Sequence, residues 1–99
     1  MSQIVNIIWS DDARSDYEEN IKYLLSEWTA ESAISFIEEV EVTLDLIKEN
    51  PKLYPLIDYK SVRRAVVRKQ ITLFYTERNN TVYLVRFWNT FQNPDSLKL

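Results

Sequence analysis

The apolar residues of this chain change their rhythm at Asn50-Pro51. Before it they recur at intervals of three and four, the period of a helix with one buried face. The first stripe is Ala13, Tyr17, Ile21, Leu24 and Trp28; the second is Ala33, Ile37, Val40, Leu44 and Ile47, widened by Phe36. Ser10 or Asp11 predicts the first N-cap, with Asp11 and Asp12 in the first turn, where the helix dipole favours negative charge. Thr29 predicts the second cap, and Asn50-Pro51 ends that helix because the residue before a proline is pushed out of the α region. So short a join folds the helices back into an antiparallel hairpin with one combined apolar surface. Tyr17, Trp28 and Phe36 are expected in the core beneath it.

Lys52 to Lys60 reads as a loop, held locally by Pro55 and the apolar Leu53, Tyr54, Leu56 and Ile57. Beyond it, Val62 to Val67, Ile71 to Thr76 and Thr81 to Trp88 are rich in β-branched and aromatic residues and read as three successive antiparallel strands. Asn79-Asn80, a dipeptide that tolerates positive φ, marks a tight turn between the last two. Ile4 to Trp9 is a short first strand. A two-residue turn would set Tyr75 opposite Leu84, Leu73 opposite Arg86 and Ile71 opposite Trp88. Thr72, Phe74, Thr76, Tyr83, Val85, Phe87 and Asn89 then share the other side. Neither side is plainly polar, so both are expected to be covered, one by the hairpin and the second by a partner. The tail, Thr90 to Leu99, holds a turn signal at Asn93-Pro94-Asp95 and an apolar end at Leu97 and Leu99. The expected fold is one α+β domain over residues 1–99, of order β-α-α-β-β-β: a four-stranded antiparallel sheet with an α-helical hairpin packed on one face.

Composition narrows the chemistry. With 99 residues and neither cysteine nor histidine, disulfides, thiol nucleophiles, the usual zinc ligands and the commonest general base are all excluded. Any reaction would fall to Arg, Lys, Tyr, Asp, Glu or Ser; no carboxylate spacing argues for a metal, and no cofactor is expected. The N-terminus lacks a basic leader and no apolar run approaches the roughly 20 residues of a membrane span, so a cytoplasmic protein without membrane contact is expected. The net charge of −3 hides a division along the chain. Residues 11–49 hold twelve acids against three bases, whereas residues 50–99 hold nine bases against three acids. Lys60, Arg63, Arg64, Arg68 and Lys69 fall in one ten-residue stretch free of acids. They have two readings: they balance the acids of the helical hairpin, or they draw an acidic partner segment onto an edge strand.

Six short matches in one order carry a resemblance. They are Ser10, Ala13, Asp16 and Tyr17 with Ile21 and Tyr23 opening the first helix; Asn50-Pro51 closing the second; and Arg63-Arg64 at the start of the second strand. Leu73-Phe74-Tyr75, Arg86-Phe87-Trp88 and a closing Gln92-Asn93-Pro94 complete the order. Over nearly its whole length the chain resembles the RelE/ParE superfamily of toxins from bacterial toxin–antitoxin pairs. RelE-like members cut messenger RNA on the ribosome, and ParE-like members poison DNA gyrase without being hydrolases.

Phosphodiester cleavage needs a base, a proton donor and cations for the developing phosphorane charge. Arg64 and Arg86 would be those cations. The acid or base of the RelE-like pattern, a His or Tyr soon after the last strand's arginine, meets Trp88, Asn89, Thr90 and Phe91 here. A sequence pI of about 4.9 also argues against docking on nucleic acid, where phosphate neutralisation dominates affinity. The resemblance therefore implies a ParE-like protein that binds a protein target, DNA gyrase in the family, and forms an oligomer with a cognate antitoxin that neutralises it. One departure is that the His or Gly-Arg often following the final strand in ParE-like members is replaced by Asn89 and Thr90-Phe91. The expected partner-binding residues are Lys60, Arg63, Arg64, Arg68, Lys69, Tyr83, Arg86, Phe87 and Trp88. The alternatives are a ribosome-dependent endoribonuclease using Arg64 and Arg86, favoured by any tyrosine or carboxylate placed beside them, and a non-toxic relative kept as an interaction domain.

Overall fold

Two capping hydroxyls start the helices. In the computed structural model, which describes residues 5–90 and 99, Ser10 Oγ accepts from the Ala13 N–H at 2.9 Å and opens α1 (Asp11–Glu27). Thr29 Oγ1 accepts from the Ser32 N–H at 3.0 Å and opens α2 (Ala30–Glu49), which Asn50 closes. The strands are β1 (Asn6–Trp9), β2 (Arg63–Arg68), β3 (Ile71–Arg78) and β4 (Thr81–Asn89), so the order β-α-α-β-β-β holds. Ile4, the tail turn, Gln92-Asn93-Pro94 and Leu97 lie outside the described residues.

The sheet runs β1-β4-β3-β2 and is mixed rather than antiparallel throughout. β3 pairs antiparallel with both neighbours, but β1 lies parallel to β4, Asn6 beside Thr81 through to Trp9 beside Leu84. The pattern of turns bears only on β2 to β4. β1 reaches the sheet through the whole helical hairpin, and a connection that long allows a parallel neighbour.

Asn79 and Asn80, at φ 52° and 60°, make the expected two-residue turn, with Arg78 paired to Thr81. Tyr75 pairs with Leu84 as expected, but Leu73 meets Phe87 and Ile71 meets Asn89, not Arg86 and Trp88. The cause is a bulge: Phe74 already pairs with Arg86, leaving Val85 as an extra residue on β4. One inserted residue exchanges the faces of everything after it. Val82, Leu84, Phe87 and Asn89 thus lie together under the helices, against Ile71, Leu73 and Tyr75 of β3 and Ala65 of β2. The opposite face carries Arg64, Val66, Thr72, Phe74, Thr76, Tyr83, Arg86 and Trp88.

The helix stripes supply Ala13 and Leu24 from α1 and Ala33, Phe36, Val40 and Ile47 from α2 to the same core. Trp28 does not join them: it is 56% exposed, because as the C-cap residue (φ −129°, ψ −119°) it has left the helical spiral that defined the stripe. Three polar residues the stripes did not mark are buried. Asn20 Nδ2 donates to the carbonyls of Asp16 and Phe87, while Asn20 Oδ1 accepts from Asn89 Nδ2 at 2.9 Å. Thr43 Oγ1 donates to the Glu39 carbonyl at 2.8 Å. Buried polar atoms with partners cost little, and the Asn20–Asn89 pair fixes where α1 sits along β4.

Tyr75, fully buried, donates its hydroxyl to the Pro51 carbonyl at 2.9 Å and so ties the end of α2 to the sheet. Burial, outweighing the nearby Arg63, pushes its pKa up from 10.0 to about 12. The native state therefore holds this proton at pH values where the unfolded chain has released it. Stability from Tyr75 is complete below the unfolded value and falls as pH rises toward the folded one. Chemical denaturation across that window is expected to show wild type losing stability more steeply than Tyr75→Phe.

Candidate functional site

The division between acidic helices and basic strands becomes a set of ties between the layers. Arg68 Nε donates to Glu39 Oε1 at 2.7 Å, Nη1 to Ser32 Oγ at 3.1 Å and Nη2 to the Ser32 carbonyl at 3.3 Å. Its guanidinium also lies 5.8 Å from the Phe36 ring centre. Arg86 grips Asp16 with a fork, Nε to Oδ2 at 2.6 Å and Nη2 to Oδ1 at 3.0 Å, and the Phe87 N–H adds a third bond to Oδ2 at 3.1 Å. The hydrogen bond from Asp16 is the largest influence on Arg86 and, against the cost of burial, raises its pKa above the ordinary arginine value. Arg63 donates to the Tyr54 carbonyl at 2.7 Å and the Lys52 carbonyl at 3.3 Å, and stands 3.9 Å from Glu77. Its own Nε is buried without an acceptor among the described residues. These three arginines anchor helices or loop to the sheet.

The remaining expected residues are placed differently. Lys60, Arg64 and Lys69 are exposed. Tyr83 and Trp88 are half-buried on the face away from the helices, with Arg78 5.8 Å from the Tyr83 ring centre and Arg86 5.5 Å from that of Trp88. Phe87 is in the core, its ring 5.4 Å from Trp9 and 5.7 Å from Tyr17. The pairings Arg64–Phe74–Arg86, Val66–Thr72–Trp88 and Thr76–Tyr83 bring Arg64, Tyr83, Arg86 and Trp88 onto one face. Lys60 sits beyond its end, and Arg63 and Arg68 face the helices.

This face also carries apolar residues that no motif singled out: Val66 is 59% exposed and Ile8, beside Tyr83, is 50% exposed. The β2 edge, on the Val66 side, is partly closed. Leu56 bridges to Arg63, and the Arg64 N–H donates to the Pro55 carbonyl at 3.1 Å. Past Arg64, β2 has no strand on its outer side among the described residues. An extended peptide could therefore add there, with cations of both β2 and its flanking turn within reach.

A carboxylate does stand beside Arg86, but both its oxygens already accept from Arg86 and from the Phe87 N–H. Of the tyrosines, Tyr17 and Tyr75 are held protonated well above neutrality, each chiefly by burial. Neither is on the open face, where the tyrosine is Tyr83, paired with Thr76 and three residues along β4 from Arg86. The arrangement is suited to binding: a half-apolar sheet face, exposed cations at its margins and an unpaired strand edge.

The comparisons with known proteins agree with this geometry. Residues 7–94 match the family model of the ParE toxin of the type II toxin–antitoxin system parDE. No curated protein matches the chain. Among solved structures, the chromosomal ParDE system of P. aeruginosa is similar at a TM-score of 0.73 and 10% identity, covering 87% of this chain and 96% of that one. The YoeB dimer of Staphylococcus aureus is similar at 0.63 and 17% identity, over 87% and 97% of the two chains. The E. coli DinJ–YafQ toxin–antitoxin complex is similar at 0.62 and 14%, over 92% and 98%. At such identities the structures speak for the fold alone, but the family model spans nearly every element described above. The chain belongs to the ParE toxin family of type II toxin–antitoxin systems.

Proposed function

We propose that this chain acts in the cytoplasm by gripping a protein, DNA gyrase by family resemblance, and that a cognate antitoxin silences it with an acidic, partly apolar segment. That segment lies along β2, where Val66 is exposed and Arg64 and Lys69 offer charge, and across the open sheet face toward the exposed Ile8 of β1. The observation that carries the reading is the Arg86–Asp16 fork. A cation whose donors are held by a fixed carboxylate is poorly placed to receive phosphorane charge, which speaks against the endoribonuclease and for binding without hydrolysis.

The test is induction of the chain without an antitoxin, followed by gyrase supercoiling assays and primer extension on translated messages. Growth arrest with lost supercoiling and intact messages is expected. Site-specific cuts in messages would replace this reading with the endoribonuclease. Normal growth with intact supercoiling would leave a non-toxic interaction domain.

A further inference from the structure

We infer a second binding site, for a small phosphate monoester, at the end of the sheet, where it takes in Thr76 and Tyr83 of the open face, and independent of the toxin reading. A cavity of about 420 Å³ is lined there by Lys60, Ser61, Thr76, Glu77, Arg78 and Tyr83. Its floor and walls come from the end of β3 and the start of β4, where Thr76 pairs with Tyr83. The rim is the turn before β2, in which Lys60 and Ser61 both take positive φ, 43° and 59°. That turn is closed by the Val62 N–H on the Tyr59 carbonyl at 2.9 Å and the Ile57 N–H on the Val62 carbonyl at 2.8 Å. Two consecutive left-handed residues without glycine are unusual, and the closing bonds hold them in place.

The donors around this hollow are unspent. Arg63, Arg68 and Arg86 are each tied to a carboxylate, whereas Lys60 and Arg78 contact only ring faces among the described residues, those of Tyr59 and Tyr83. The side-chain hydroxyls of Ser61, Thr76 and Tyr83 make no hydrogen bond among the described residues. The one acid, Glu77, already has Arg63 as its cation. Two unneutralised positive charges and three hydroxyls thus line one cavity.

Charge decides the ligand class. A carboxylate brings one negative charge and two oxygens, leaving a cation unmatched, while a phosphate monoester brings a charge of about −1.5 to −2 and three terminal oxygens. Arginine meets such a group with its fork and lysine with a point charge. The cavity is larger than a bare phosphate, so the esterified group has room inside it. With a net charge of −3, the protein has little to hold an extended nucleic acid, so the ligand is a small molecule of the sugar-phosphate or mononucleotide kind.

Amide NMR titration of the full chain with AMP tests this, with adenosine, sodium acetate at equal ionic strength and a 5′-phosphorylated oligonucleotide as further arms. AMP is expected to shift Ser61 and Thr76 to Arg78 saturably, adenosine and acetate to leave them in place. Lys60→Gln and Arg78→Gln, both at exposed positions, should each weaken AMP by about tenfold while melting like wild type. The proposal is overturned if AMP gives no saturable shift, if acetate reproduces it, or if neither substitution weakens it. Shifts centred on Arg64 and Lys69, or an oligonucleotide that binds far more tightly than AMP, would also overturn it.

Discussion

Asp16→Ala is expected to destabilise the protein by about 3–5 kcal/mol, the usual loss when one partner of a buried ion pair is removed. The two side chains are only 14% and 20% exposed, and Asp16 also holds the Phe87 N–H, so the substitution removes the carboxylate that both the guanidinium and a backbone donor reach. Urea denaturation reads the loss. The pair Asp16→Leu with Arg86→Met should recover much of it, since two apolar side chains remove both charges of the fork. A cost below about 1 kcal/mol for Asp16→Ala would mean that the pair behaves like a surface bridge. Arg86 would then be available to a ligand, and the argument against phosphodiester chemistry would lose its footing.

Phe87→Ala and Trp88→Ala should behave as opposites, although the residues are neighbours and were read from sequence as one partner surface. Phe87 is 2% exposed among Trp9 and Tyr17, and truncating such a ring costs about 3–5 kcal/mol through lost transfer energy and the cavity left behind. Trp88 lies half-buried on the far face under the Arg86 guanidinium. Its truncation should cost far less stability. Thermal and urea unfolding of the two variants side by side would separate them, and equal losses would show that the far face is as closed as the core.

The contrast also shows what could be read from the sequence. Ser10, Thr29 and Asn50 declared the helix ends because capping chemistry is local, and Asn79-Asn80 declared the turn because few residues accept its φ angles. The bulge at Val85 left no such mark. Valine is an ordinary strand residue, so the register appeared continuous and Phe87 fell on the wrong side. The parallel sense of β1 was equally hidden, since it depends on where a long connection returns rather than on any residue of the strand. Charge totals announced that acids and bases would meet, but not which. Asp16 and Arg86 both stood in the motifs that carried the family resemblance, as separate marks seventy positions apart, and only the fold shows them to be one fork. For the far face, Ile8 and Val66 drew no notice, because exposure is set by the neighbours a strand lacks.

The parallel seam between β1 and β4 has a consequence for the timing of synthesis. Among the described residues β1 has no neighbour in the sheet except β4, the last strand of the four in chain order, and Ser10, which caps α1, sends its own hydroxyl proton to the Val85 carbonyl at 3.0 Å. β1 thus stays unpaired until β4 arrives, and native packing waits on contacts of long sequence separation, which form slowly. A nascent chain interrupted before Thr81 would lack β4 and leave β1 without its partner, so a message translated only in part could assemble no more of this sheet than the β2–β3 pair.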